Sequence, residues 1–246
     1  MTILEDLDRI DDDELAELYA YPADLDRPWV RANFVSSLDG ASSGSDGRSG
    51  SINNAADKRV FALLRSLADV VLVGAGTARA EGYRPVRGRE TWHGLRARLG
   101  LTPAPVLAVV SGSLDLPTGV LDRVEGAGPV LVITSRRAHP GRLEAARQAL
   151  GTDAVLQAGD DHVDVAEAID KLGERGLSRV LCEGGPTLMT HLVAADRLDE
   201  LCLTLSPLLV GGDATRITNG GPLAADLRLG HLVQSSGVLL TRWLRP

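Results

Sequence analysis

At 246 residues the chain is long enough for one sizeable α/β domain. Hydrophobic residues make up 44% and charged residues 24%, the balance of a folded globular chain rather than a disordered one. The net charge of -7, from 33 acids against 26 bases, argues against a general nucleic-acid binder, which needs a basic surface.

Other classes fall away on local grounds. Apolar runs such as VVLV and VLVI are far too short to cross a membrane, and MTILEDLDRI is acidic where a signal peptide is apolar. The expectation is a cytoplasmic protein with no membrane partner. Cys182 and Cys202 sit inside apolar runs and read as small core residues of a reducing compartment. The five histidines are scattered, with no C-x-x-C or H-E-x-x-H spacing, so no metal site is expected.

In chain order, residues 1–27 form an acidic N-terminal arm with a short helix around Asp13–Tyr19, read as solvated or as a cap on the domain. Residues 28–246 form a single domain. It opens with a strand at Val30–Val35, the turn Ser37–Gly40 and a Gly/Ser-rich segment, 41–51, expected to be mobile. A helix follows from about Asn54 to Ala68, with Asn53 or Asn54 as cap and Val60, Leu64 and Leu67 along one face. Val70–Val73 is a buried strand, and residues 84–104 read as basic and irregular. Strands recur at Val106–Val110, Val130–Thr134, Val155–Gln157 and Val180–Cys182. Helices are expected near Gly141–Leu150, over Val163–Arg175 with Gly176 closing it, and after Pro186. Glu200–Leu205 and Gln234–Trp243 close the chain as an antiparallel pair. This alternation predicts an α/β fold, a mostly parallel sheet with helices on both faces and an antiparallel C-terminal strand pair.

Four segments carry chemistry. Val73-Gly74-Ala75-Gly76-Thr77 delivers glycines from a buried strand to a helix start, where backbone N–H groups and the helix dipole favour phosphate. A tight turn without a ligand explains a lone G-x-G equally well. Glu183-Gly184-Gly185-Pro186-Thr187 repeats the device, and two such loops at the carboxyl ends of strands converge in one crevice of an open α/β sheet. Glu183 then faces that crevice, as a ligand contact or as a cap for a neighbouring N–H. Thr134-Ser135-Arg136-Arg137 offers hydroxyls and guanidiniums to a terminal phosphate, or is an ordinary basic loop. Asp39, at a strand end, is a proton donor, a substrate anchor or an Asx-turn residue.

Together the segments resemble the pyrimidine reductase of bacterial riboflavin biosynthesis, whose fold is dihydrofolate-reductase-like. The resemblance rests on S-L-D-G at 37–40, V-L-V-G-A-G-T at 71–77, L-C-E-G-G-P-T-L at 181–188 and the closing pattern across Leu198–Gly211, all in the family's order. It implies NADPH as hydride donor, a small-molecule pyrimidine substrate and a homodimer. It also implies that Thr77, Ser111, Gly185, Pro186, Thr187, Leu188 and Met189 line the cofactor site. Gly74, Gly76, Gly184, Thr134, Arg136 and Arg137 join them from the residue reading, and Glu81 keeps the acid of the family's Asp-x-Pro. Ser49, Arg65 and Glu183 match substrate positions. Ser51-Ile52 replaces the usual Trp-Ile, and Asn33 stands where a lysine is frequent. The family's zinc deaminase domain has no counterpart in this sequence. Asp39 and Glu183 are therefore the candidate catalytic acids of an NADPH-dependent pyrimidine reductase. A pterin (dihydrofolate-like) reductase and a non-catalytic nucleotide-binding module are the alternatives.

Overall fold

A computed structural model describes residues 5–246. The strands are β1 (Glu5–Asp6), β2 (Trp29–Ser37), β3 (Val70–Gly74), β4 (Val106–Val110), β5 (Val130–Thr134), β6 (Val155–Gln157), β7 (Arg179–Cys182), β8 (Glu200–Ser206), β9 (Arg228–Ser235) and β10 (Val238–Leu244). The helices are α1 (Asp12–Leu18), α2 (Ala55–Leu67), α3 (Ala75–Ala80), α4 (His93–Arg98), α5 (Pro140–Leu150), α6 (Val165–Gly173) and α7 (Pro186–Ala194). All strands join one sheet in the order β1-β9-β10-β8-β2-β7-β3-β4-β5-β6. The run from β8 through β2, β7, β3, β4 and β5 to β6 is parallel, and β10 is antiparallel to both β8 and β9. The expected mostly parallel α/β sheet with an antiparallel C-terminal pair is present.

Strand alternation sorts the core into two layers. Val71, Val73, Leu107, Val109 and Leu181 face α2, whose Val60, Leu63, Leu64 and Leu67 make its apolar stripe. Val70, Leu72, Ala108, Ile133 and Val180 face the other way, against Ile169 and Leu172 of α6 and Leu188 and Leu192 of α7. The central strands are apolar on both faces because helices cover both. Asn54 caps α2 by accepting from the Asp57 amide at 3.0 Å. Cys182 and Cys202 are free and buried as expected, and burial pushes the Cys182 thiol up to about 12.

Two expectations change, and a third segment gains detail. Residues 84–104 are not simply irregular, since α4 forms there and brings Trp92 and Leu95 into the core. Arg96 in α4 is buried and donates to the carbonyls of Ser66 and Ala68 at 3.0 and 2.8 Å, closing the end of α2. A six-residue helix is too short to show periodicity. The segment Gln234–Trp243 is two strands, not one, because Ser236 and Gly237 (φ 50° and 81°) turn the chain between β9 and β10. The Gly/Ser-rich segment is a built turn: Asp46 accepts from the Arg48 amide and the Ser51 hydroxyl, and the Ser42 amide donates to Thr215.

Residues 5–27 pack as a cap. Leu7, Leu15 and Tyr19 are buried, and Arg59 of α2 donates to the carbonyls of Leu7 and Ile10 at 3.0 and 2.8 Å. Residues 1–4 lie outside the described residues. Below the cap is a buried charge cluster: Arg31 and Arg242 both pair with Glu200, at 2.6 and 2.8 Å, and Trp29 donates to the same carboxylate. Burial alone would raise the Glu200 pKa, but the two guanidiniums outweigh it and hold the group below its ordinary value. Removing one partner of such a cluster leaves a buried charge uncompensated, which is the costly case.

His231 stacks edge-on to Tyr19 with ring centroids 4.6 Å apart. Burial, followed by the nearby Arg242 charge, lowers its pKa to about 4. An unfolded His near 6.5 binds its proton first, so this residue's contribution is full above pH 6.5 and is lost as pH falls towards 4. We expect stability to drop by about 2–3 kcal/mol across that window, at roughly 1.4 kcal/mol per pKa unit. Urea midpoints from pH 7 to 4.5 check this, and His231→Phe should flatten the dependence.

Candidate active site

The parallel strands all end on the same edge of the sheet, and β7 lies between β2 and β3. The chain order reverses there, which is where an open α/β sheet forms its ligand crevice. A cavity of about 1070 Å³ opens at this point, lined by residues that include Asn33, Ser49, Arg65, Thr77, Glu81, Glu183, Gly184, Gly185 and Pro186. The structure thus brings together nine of the residues singled out from sequence.

The two glycine loops meet directly. The Gly74 amide donates to the Gly184 carbonyl at 2.8 Å, so the ends of β3 and β7 are tied. A Cβ on Gly185 would stand 2.3 Å from the Thr77 hydroxyl, so this glycine is required by loop-on-loop packing. Gly184 has φ +101°, a conformation that favours glycine. Gly76 is different: it is exposed, and a Cβ there would meet nothing within 4 Å. Its openness leaves the backbone approachable by a ligand.

Glu183 sits at the centre. Its two oxygens accept from Arg65 Nε and Nη2, each at 2.6 Å, and Oε2 also accepts from the Tyr83 hydroxyl at 2.7 Å. The Glu183 side chain is 2% exposed and that of Arg65 25%. The guanidinium also stacks over Phe61, 4.3 Å from its centroid. The carboxylate is therefore engaged in holding Arg65, and both residues line the cavity. Burial and the Glu183 charge beside it raise the Tyr83 pKa well above the ordinary value.

Other residues are placed as follows. Glu81 accepts from the Ser49 amide at 2.9 Å, closing the 41–51 turn over the cavity. Ser111, Thr134, Arg136 and Arg137 lie farther along the same edge, at the ends of β4 and β5. Thr134 Oγ1 is buried with no partner among the described residues. Arg136 pairs with Glu167 and Asp160, and Arg137 with Asp161. Thr187 is exposed in the first turn of α7, whereas the Leu188 and Met189 side chains point into the core and leave only their backbone for a ligand.

Asp39 is not among the cavity-lining residues. Its carboxylate accepts from the Ser37 hydroxyl at 2.5 Å and from the Gly211 and Val210 amides at 2.7 and 3.1 Å. These bonds, the hydroxyl first, lower its pKa to about 2. Asp39 clamps the turn after β2 to the loop after β8, which corrects the expectation that it borders the same crevice as Glu183. It is not an Asx turn either, since the Ala41 amide donates to the Ser37 hydroxyl.

Sequence reading missed Tyr83, Phe61, Asn53 and Asp57, all of which line the cavity. Asp57 was visible in principle, since it precedes Val60 and Leu64 on the apolar stripe of α2, where an acid is out of place. It is 4% exposed.

The chain is similar to known proteins over most of its length. The family model described as the RibD C-terminal domain matches residues 28–240. A 2,5-diamino-6-ribosylamino-4(3H)-pyrimidinone 5′-phosphate reductase of Archaeoglobus fulgidus is 28% identical over 82% of this chain and 91% of that protein. The riboflavin biosynthesis protein RibD of Bacillus amyloliquefaciens is 27% identical over 81% of this chain, which spans about half (51%) of that longer protein. A crystal structure of a pyrimidine reductase-like protein from Corynebacterium diphtheriae superposes with a TM-score of 0.80, 27% identity, and coverage of 94% of this chain and 98% of that one.

The Arg65–Glu183–Tyr83 lock has a graded consequence. Glu183→Gln should destabilise the fold by on the order of 3 kcal/mol, because it leaves a largely buried guanidinium without its counter-charge. Tyr83→Phe, which removes one hydrogen bond to a charged group, should cost about 1.5–3 kcal/mol at most. Denaturant titration of both variants reads the order, and a neutral Glu183→Gln would show that the pair is not a structural lock.

Proposed function

The chain belongs to the RibD C-terminal domain family, and from that premise we propose that it reduces a ribosylaminopyrimidine 5′-phosphate with NADPH, converting the ribosyl group to ribityl. The observation that carries this reading is the cavity at the β2–β7–β3 ends. It presents the locked Arg65 guanidinium beside the two joined glycine loops. A buried, pre-oriented guanidinium suits an anionic or carbonyl-bearing substrate, since little rotamer freedom is left to lose on binding.

The residues present fit a dinucleotide. Gly76 leaves its backbone open, Thr134 holds a buried hydroxyl without a partner, and both lie on the same sheet edge as Gly184 and Gly185. Gly74, Gly76, Thr77, Ser111, Thr134 and Gly184 to Met189 would hold it, with Leu188 and Met189 acting through backbone only. When bound, the nicotinamide supplies the hydride. Phe34, Val35, Phe61 and Val86 line the cavity and keep water from the reacting carbon. Arg65 and Ser49 orient the substrate, while Glu183 and Glu81 position them. Asp39 acts at a distance from the chemistry.

Membership of a reductase family supports the fold's use of a nicotinamide, and Arg136 and Arg137 favour NADPH over NADH. Their exposed carboxylate partners would be exchanged for the 2′-phosphate. We also propose a cytoplasmic homodimer, in which residues 28–246 form the reductase domain. Leu38, Leu208 and Leu209 are exposed beside the Asp39 clamp and are apolar surface that a second subunit would cover. No helix among the described residues is long and apolar enough to cross a membrane.

Three outcomes follow. Purified protein should oxidise NADPH only in the presence of a ribosylaminopyrimidine phosphate. Arg65→Lys, which keeps charge but loses the fork, should lower kcat/KM about 10- to 100-fold, equivalent to roughly 1.5–3 kcal/mol for charge-assisted hydrogen bonds. Replacing Arg136 and Arg137 together by Ala should weaken NADPH binding by about 1–3 kcal/mol and leave NADH binding nearly unchanged. Equal losses for the two cofactors in a fluorescence titration would overturn that assignment.

A further inference from the structure

The cavity contains a charged group with no role in the account above. Asp57 lies on the cavity-facing stripe of α2, and no lysine or arginine among the described residues pairs with it. Its Oδ1 accepts from the Thr204 hydroxyl of β8 at 2.5 Å, and the Asn53 side chain is the carboxylate's other hydrogen-bonding neighbour. One turn earlier in the chain, Asn53 also lines the cavity, and its Oδ1 is buried without a partner. Burial raises the Asp57 pKa, and the Thr204 hydroxyl, the Lys58 charge and the Asn53 side chain only partly offset this. Such a group is costly to keep unless a ligand completes its hydrogen bonds.

The Asn53 oxygen is unmet and the Asp57 carboxylate keeps spare acceptor positions, so the ligand edge that completes them consists of donors. A 2-amino-4(3H)-pyrimidinone has such an edge, with the ring N3–H and the exocyclic 2-NH2 side by side. The two N–H groups match the two oxygens of one carboxylate, as a guanidinium does. The corresponding uracil replaces the 2-NH2 by a carbonyl. It would offer one donor and set an oxygen against the second carboxylate oxygen.

We propose that Asp57, supported by Asn53 and oriented by Thr204, reads the 2-amino edge of the heterocycle and selects the 2-amino-4-oxopyrimidine over the uracil. This rests on the reductase reading and deepens it. It also places the reaction: the reduction precedes removal of the 2-amino group, so a hydrolytic deamination must act on the product. The principle is that a site built to hydrogen-bond a donor strongly rejects an analogue lacking it.

The test compares the 2,5-diamino-6-ribosylamino-4(3H)-pyrimidinone phosphate with the 5-amino-6-ribosylaminouracil phosphate. NADPH oxidation is followed for each, and each dissociation constant is measured without cofactor. Wild type should prefer the diamino compound by about 100-fold or more in kcat/KM and bind it more tightly. Asp57→Asn can donate to the uracil carbonyl and accept from N3–H, so it should bring the ratio to within about tenfold of unity or invert it. Thr204→Val keeps the carboxylate but frees it, and should lower the preference in the same direction by a smaller factor. It serves also where Asp57→Asn fails to fold. Dihydrofolate carries the same 2-amino-4-oxo edge on a pterin, so its binding in wild type and loss in Asp57→Asn would also support the edge reading. Comparable turnover of both pyrimidines by wild type, or an unchanged ratio in a folded Asp57→Asn, overturns the inference and leaves the reductase reading standing. Absence of NADPH oxidation with either pyrimidine overturns the reductase reading and this inference together.

Discussion

The insertion of β7 between β2 and β3 is the constraint on which the rest of the structure depends. The chain runs outward through β3, β4, β5 and β6, then returns over the face carried by α6 to place Arg179–Cys182 in the middle of the sheet. That return pairs β7 with β2 on one side and with β3 on the other, and joins Gly74 to Gly184 by a backbone hydrogen bond. Because all these strands are parallel, every loop that bears chemistry leaves the same edge. The apolar layers above and below fix the register, since a one-residue slip would turn each core side chain to the wrong face.

Charge is distributed so that the acids have different duties. Glu200 holds two arginines under the N-terminal cap, at the start of β8 and so at the opposite end of the strands from the cavity. Asp39 ties two loops from the outside, accepting from a hydroxyl and backbone amides. Glu183 is held by Arg65 and Tyr83, and so converts a flexible side chain into a fixed guanidinium at the cavity wall. Asp57 is held only by the Thr204 hydroxyl and its neighbour Asn53, with no ion pair, and it lines the cavity. The acids whose hydrogen bonds are complete act as scaffold. The one left incomplete is where a ligand gains most.

The same contrast separates the glycines. Gly185 and Gly184 are demanded by the protein itself, the first by Thr77 and the second by its backbone angle. Gly76 has no such internal reason, and its exposure is what a bound anion would use. A motif that reads as one uniform phosphate device in sequence is thus a packed joint with one open position.

The sequence by itself determined the alternation of strands and helices, both glycine loops, the buried cysteines and the cap on α2, because these depend on local spacing and on apolar runs that survive in one dimension. It also held the family pattern that spans residues 28–240. The split of the last segment into two strands, the helix at His93–Arg98 and the packing of residues 5–27 depended on contacts between distant residues. So did the fate of each acid. Asp39 and Glu183 both follow strands and look alike in a sequence, yet one faces outward to the loop after β8 and the other meets an arginine from α2. Asp57 stands out in sequence only as an acid on an apolar stripe; its place at the cavity came from β8 bringing Thr204 against it. Which partner a charged group finds is decided by the packing of elements far apart in the chain, and no local pattern encodes it.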